Sequence, residues 1–249
     1  MDHEEALSGG NASESVVKIG GTVRKAWTES TPSVVGFLEF VRSRGVDAPA
    51  PRGQDERGRQ IIEFVPGRLA IDAEPLSPVE LHRVGAMVRA IHDASADFLP
   101  PADATWDSVI PAPGADLVCH NDLAPWNLII GERWLFIDWD AAAPSTRLWD
   151  LAYAAQAFAL SRLQTPPEQA AGDLRAFVDG YGADEELRAA LPDAMTRRAT
   201  AMLEMLRSAH AEHREPWASM FGDGHGAHWE AAVDYADSHQ AVWQSALRI

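Results

Sequence analysis

The chain has 249 residues, 46% of them apolar, with a formal net charge of −16 and a single cysteine, Cys119. That length and apolar content suit one large domain or two unequal lobes around a sizeable core, and exclude a disordered chain. The acidic balance argues against a nucleic-acid or anionic-lipid partner and leaves room for a cationic small molecule, and one cysteine excludes an intramolecular disulfide.

The opening residues, MDHEEALSGG, are acidic and polar, unlike a signal peptide. No apolar run approaches the length of a membrane span. The expectation is a soluble cytoplasmic protein with no membrane span and no membrane partner. Oligomeric state has no signature in the sequence.

Ser8–Ser15 (SGGNASES) is a Gly- and Ser-rich loop. Ser15–Ile19 and Thr22–Trp27 read as strands, joined through Gly20-Gly21 as a hairpin. A helix is expected from Thr31-Pro32 to about Arg44, with Thr31 as N-cap and Pro32 at the first helical position. Val34, Phe37, Leu38 and Val41 fall on one face of it, and Gly45 ends it. Arg59–Val65 reads as a strand stopped by Pro66-Gly67. Ser77-Pro78-Val79-Glu80 has the form of a capping box, opening a helix with Leu81, Val84, Val88 and Ile91 at helical spacing.

Strands are expected near Leu117–Cys119, Leu128–Ile130 and Trp134–Ile137, the last two turned into a hairpin by Gly131-Glu132. From Thr146 the pattern is helical. Leu148, Leu151, Ala155 and Phe158 mark one helix; Leu174, Phe177 and Val178 mark a second. Met195–His213 and Ala227–Leu247 read as two longer ones. Loops at Pro166-Pro167, Gly180–Gly182 and Gly222–Gly226 separate them. This shift from strands to helices predicts an α+β chain with a small β-rich lobe, 1–64, and a larger helical lobe, 65–249.

The chemistry concentrates in Val118–Asp140, VCHNDLAPWNLIIGERWLFIDWD. His120 to Asn127 has the form H-x-D-x-x-x-x-N, the spacing of the catalytic loop of protein kinases. A hydroxyl attacking a γ-phosphate needs an acceptor for its proton, which Asp122 supplies. The triphosphate needs Mg²⁺, a hard cation that takes oxygen ligands. Asn127 offers a carbonyl oxygen, and Asp138 a carboxylate one hairpin later. Asp138-Trp139-Asp140 stands where kinases carry D-F-G, with a carboxylate in place of the glycine. A lone H-x-D would read as an Asx-turn; the full constellation is far more specific.

VCHNDLAPWNLII, FIDWD and RLWDLAYA together resemble the aminoglycoside phosphotransferase/choline kinase-like family. The resemblance implies a two-lobed protein-kinase-like fold and transfer of the γ-phosphate of ATP or GTP to a small-molecule hydroxyl. It implies Asp122 as catalytic base and Asn127 and Asp138 as magnesium ligands. By the same resemblance His120 packs and orients the loop, and Asp150 is the buried aspartate that hydrogen-bonds the loop's backbone. Asp140 could assist a metal, touch a cationic acceptor or be a plain surface acid.

On the nucleotide side, Gly9, Gly10, Asn11 and Ser13 could bring backbone amides to the phosphates. The third strand should carry a cation. Lys25 shares a face with Val23, and Arg24 points the other way, so Lys25 is favoured with Arg24 the runner-up. No glutamate partner is clear: Glu39 lies off the apolar stripe of its helix and Glu29 precedes it. Glu63–Gly67 resembles the hinge between lobes, where backbone groups of Phe64 and Val65 would read a purine edge. ATP and GTP are not distinguished. Asp223, His225 and His228 read as a loop and helix start rather than a zinc site. Met202, Met205 and Leu206 read as core, Glu204, Glu212, Glu215 and Asp234 as solvated acids, and Cys119 as a buried inert thiol. Trp126, Trp139 and Trp149 are expected to wall the catalytic segment.

Overall fold

The computed structural model describes residues 4–7 and 16–248. The first region is a five-stranded antiparallel sheet of order β1-β2-β3-β5-β4: β1 (Glu5–Ala6), β2 (Val17–Ile19), β3 (Thr22–Lys25), β4 (Pro51–Gln54) and β5 (Gln60–Glu63). The β2–β3 hairpin turns at Gly20, whose φ of +58° is the left-handed conformation a two-residue turn requires. β4 has no apolar alternation, is largely exposed, and was not legible as a strand.

Helix α1 (Thr31–Ser43) follows β3 and buries Val34, Phe37, Leu38 and Val41, the expected face. Its N-cap is Ser30, not Thr31, and no side chain caps it. The Thr31 hydroxyl is instead taken by the Thr28 backbone N–H at 2.8 Å, one step before the helix. Gly45 ends it at φ +91°.

The remainder is mostly helical. β6 (Arg68–Leu69) leads to α2 (Pro78–Ser95), whose capping box forms as expected: the Ser77 N–H donates to Glu80 Oε2 at 2.8 Å and Ser77 Oγ accepts from the Glu80 N–H. β7 (Leu117–Cys119), β8 (Leu128–Ile130), β9 (Trp134–Phe136) and β10 (Ala143–Ser145) form two small sheets, β6-β8-β9 and β10-β7. Then come α3 (Arg147–Ala155), α4 (Pro167–Tyr181), α5 (Glu185–Ala211), α6 (Trp217–Met220), α7 (Gly226–Ser238) and α8 (Gln240–Leu247).

Three expectations about this part need correction. Gly180 is not in a loop but inside α4, where a Cβ would overlap the His82 carbonyl of α2; only Gly182, at φ +69°, caps the helix. Gly85 of α2 meets the Phe177 carbonyl in the same way, so α2 and α4 touch backbone to backbone. Helix α5 begins at Glu185 rather than Met195, because Asp184 caps it through the Leu187 N–H at 2.8 Å. Ala227–Leu247 is not one helix: it breaks at His239 into α7 and α8.

One core joins the two regions. Phe37 of α1 packs against Trp139 (ring centroids 5.8 Å apart), while α2, α3 and α4 bury Val88, Leu151 and Phe177 behind them. No helix of the described residues is long and apolar enough to cross a membrane.

Candidate active site

β7 delivers His120, which is fully buried. Its Nε2 faces the Ile137 carbonyl at 3.1 Å, and its Nδ1 faces the Asp122 N–H at 3.3 Å. One partner only accepts and the other only donates, so the ring is held as the neutral Nε2–H tautomer. Burial accordingly lowers its pKa. The Ile137 N–H in turn donates to the Asn127 carbonyl at 2.8 Å. Ile137 is thereby tied to both ends of the loop, which brings Asp138 beside Asn127. Asn121 and Asp138 both take left-handed backbone conformations, φ +64° and +58°. Asn121 offsets that strain by donating its side-chain amide to the Ala141 and Ala143 carbonyls, each at 3.2 Å.

The Asp122 carboxylate is held from two sides. Oδ2 accepts from Asn127 Nδ2 at 2.6 Å and Oδ1 from the Tyr153 hydroxyl at 3.0 Å. Burial raises the Asp122 pKa, and the donated hydrogen bonds oppose that rise. Asn127 also donates Nδ2 to the Asp122 backbone carbonyl at 3.0 Å. Its Oδ1 accepts no hydrogen bond among the described residues, so a lone pair stays available.

Helix α3 anchors this arrangement. Thr146 caps it through the Trp149 N–H. Asp150, 1% exposed, accepts the Asn121 N–H at 2.9 Å on Oδ1 and meets His92 Nε2 at 3.0 Å on Oδ2. His92 Nδ1 lies 2.9 Å from the Tyr181 hydroxyl. Tyr153 follows Asp150 by three positions, so one helix face holds both the backbone of the loop and the side chain of Asp122. Arg198 of α5, 5% exposed, lies 4.3 Å from the centre of the Tyr153 ring.

Of the two candidate cations, Lys25 reaches this segment and Arg24 does not. Lys25 Nζ lies 2.6 Å from Asp140 Oδ1 and 3.4 Å from Asp138 Oδ1. Burial alone would lower its pKa, but the two carboxylates outweigh that and raise it. Burial raises the pKa of Asp140, opposed by Lys25. Arg24 turns to the other face of β3, donating to Thr22 Oγ1 at 2.6 Å and lying 3.6 Å from Asp55. The Phe64 N–H donates to the Gly21 carbonyl at 3.0 Å, extending the β3–β5 ladder. Val65 is buried against Ile129 and Leu135. Gly9, Gly10, Asn11 and Ser13 lie outside the described residues.

Tyr153, His92 and Arg198 were missed. Tyr153 was findable as Asp150 plus three. His92 was findable as a polar residue on the buried stripe of α2, one position after Ile91. Arg198 carries no such signal. Trp139 and Trp149 are buried and Trp126 is 37% exposed, next to Asp122. The Cys119 thiol is buried and its pKa is pushed well up by burial. Among the described residues the only close His/Cys/Asp/Glu triple is His92, Cys119 and Asp150, which already serves the loop; Asp223, His225 and His228 form none.

Comparison with known proteins bears on the family resemblance and the fold. The model of the phosphotransferase enzyme family matches residues 101–192, the stretch that holds Asp122, Asn127, Asp138, Asp140 and Asp150. A trifolitoxin immunity protein of Rhizobium leguminosarum bv. trifolii is 28% identical over 213 residues, 78% of this chain and 79% of that protein. A microcompartment-associated aminopropanol kinase superposes with a TM-score of 0.67 at 15% identity, over 99% of this chain and 94% of that one. An amicoumacin kinase solved with AMP-PNP, Ca²⁺ and Ami does so with a TM-score of 0.70 at 13% identity, over 94% and 88%. The expected resemblance and the protein-kinase-like α+β fold are both borne out.

Proposed function

From a kinase-like fold whose catalytic segment matches the phosphotransferase enzyme family, we propose that this protein moves the γ-phosphate of ATP or GTP to a hydroxyl of a small, amine-bearing molecule. The observation that carries this is the Asp122 carboxylate, oriented by Asn127 on one oxygen and Tyr153 on the other.

Asp122 orients the acceptor hydroxyl and takes its proton as the oxygen attacks. Its raised pKa strengthens it as a base. Lys25 holds the donor phosphates from β3. Asn127 Oδ1 and the Asp138 carboxylate are hard oxygen donors that suit Mg²⁺. The Lys25 ammonium already rests against Asp138 and Asp140, so the pocket accommodates positive charge. When bound, the metal neutralises phosphate charge. Asp150 and His120 keep the loop in shape, and acceleration comes mainly from positioning and charge.

The acceptor is read as cationic from the acidic balance of the chain and from the amino alcohol named for the aminopropanol kinase. The immunity-protein relative supports an antibiotic as acceptor and resistance as the outcome. A metabolic amino alcohol is the second reading, favoured by the aminopropanol kinase. Action in the cytoplasm follows from the nucleotide donor. A pseudokinase is disfavoured because Asp122, Asn127, Asp138 and Lys25 converge.

The test is a coupled turnover assay with Mg²⁺, ATP and GTP against aminoglycosides, other amine-bearing antibiotics, choline and small amino alcohols. One acceptor should stimulate turnover, and Asp122→Ala should lower kcat by about 10²- to 10⁴-fold while nucleotide affinity holds. A variant with wild-type turnover would sink the base assignment.

A further inference from the structure

In protein kinases the lysine of the third strand is held by a glutamate of the following helix. Here that helix is α1, and its only acid, Glu39, is exposed and turned away from the buried face. Glu29, before the helix, is also exposed. Yet the Lys25 side chain is only 10% exposed, and a cation so buried needs a partner anion.

The partner comes from the opposite side of the cleft. Asp140 Oδ1 sits 2.6 Å from Nζ, nearer than Asp138 at 3.4 Å. The local backbone explains why both acids reach the same ammonium. Asp138 is left-handed, and a single 3₁₀ turn over Trp139–Ala141 follows. Trp139 is 1% exposed, packs on His120 at 4.7 Å and donates Nε1–H to the Phe136 carbonyl at 2.9 Å. With Trp139 driven into the core, its two neighbours in the D-W-D stretch point out into the cleft together.

We infer that Asp140 is the positioning residue of Lys25, taking the part that a helix glutamate plays in protein kinases. The carboxylate standing in the place of the D-F-G glycine and the missing helix glutamate then have one explanation. The assignment also separates the two acids. If Asp138 serves the metal, Asp140 is the acid that keeps Lys25 aimed at the phosphates. Because Asp140 belongs to the catalytic segment rather than to α1, the pair ties β3 directly to that segment.

This rests on the phosphotransfer reading, so the experiment is built to separate the two. ADP binding to the full chain is measured by calorimetry, once in EDTA and once in Mg²⁺, for wild type, Asp140→Asn, Asp140→Glu, Lys25→Met and the Lys25→Met/Asp140→Asn double variant. In EDTA, Asp140→Asn should weaken binding about tenfold, the loss expected of a charged hydrogen-bond partner. Lys25→Met should do the same, the double variant should be no weaker than Lys25→Met alone, and Asp140→Glu should recover most of the affinity. Asp140 is half exposed, so its variants should fold, as thermal melting will show. Unchanged or tighter binding by Asp140→Asn in EDTA, with a loss confined to Mg²⁺, would make Asp140 a metal ligand and overturn the assignment. Additive losses in the double variant would overturn it too. Wild type that binds no ADP in either condition would remove the kinase reading itself and this inference with it.

Discussion

The segment from Val118 to Tyr153 and the helices from Glu185 to Ser238 are built on opposite plans. In the first, polar groups are committed: His120, Asn121, Asp122, Asn127 and Asp150 hold one another or the backbone around them. In the second, regularity is broken repeatedly. Pro192 sits inside α5, a wide turn with Gly224 at φ +108° precedes α7, and α7 breaks from α8 at His239. The contrast shows where each kind of information is stored. The proposed phosphoryl transfer would need a few groups held to fractions of an ångström, and the segment is over-determined to match. The irregular helices still back that segment, since Arg198 of α5 and Trp229 of α7 both pack on the Tyr153 ring.

The largest effect that would break the contrast is Asp150→Ala. It strips partners from the partly buried Asn121 N–H and from the buried His92, and should cost about 3 kcal/mol in a urea titration. If stability held, the segment would be less constrained than its hydrogen bonds indicate. Next is a glycine pair. Gly180→Ala drives a methyl into the His82 carbonyl where α4 crosses α2, and should cost about 1–3 kcal/mol. Gly222→Ala, in the wide turn before α7, meets open space and should stay within about 0.5 kcal/mol. Equal losses would erase the distinction between the two plans.

Tyr153→Phe keeps the ring but removes the hydroxyl on Asp122 Oδ1. A loss of about 1 kcal/mol of orientation corresponds to roughly fivefold in kcat, with nucleotide KM unmoved. A change in KM alone would place Tyr153 in binding instead. Smallest for stability is Trp126→Ala. Melting temperature should barely move because the ring is 37% exposed, while acceptor KM rises several-fold if the ring walls the acceptor site. Unchanged acceptor kinetics would take Trp126 out of that wall.

Acid should act on the committed segment first. His120 has a folded pKa lowered by burial, so the unfolded chain binds its proton more readily. Its contribution is therefore complete above the ordinary histidine pKa of 6.5 and is lost as pH falls from there through the folded value. Melting temperature should drop on acidification below about pH 6.5, before carboxylates such as Glu63, whose pKa is lowered by the Ala50 N–H and Arg133 against the pull of burial, begin to protonate. An NMR titration in which the His120 ring of the folded chain takes up its proton at or above the ordinary histidine value would contradict a neutral buried His120.

Much of the candidate site was readable because its residues lie at short, motif-like spacing. Asp122, Asn127 and Asp138 lie within one loop and one hairpin, and Lys25 could be preferred to Arg24 from the alternation of a strand. Asp150 followed from a family resemblance, and the structure sets it on the Asn121 backbone. The capping box at Ser77 and the Gly20-Gly21 hairpin are likewise local, and both formed. The short strands β4, β6 and β10 were not readable, because each is defined by its partner rather than by its own pattern.

What the sequence determined by itself, then, is the residues of the candidate site and the order of the elements that carry them, since propensity, capping and motif spacing act over a few residues. Only the tertiary structure decided which residues from distant segments meet. It put His92 under Asp150, Tyr153 and Arg198 behind Asp122, and Asp140 rather than a helix glutamate against Lys25. The physical reason is burial. A charged or polar group removed from water must find a partner wherever the packed chain offers one, and the packing of α1, α2, α3 and α5 around Trp139 and Tyr153 settles where that is.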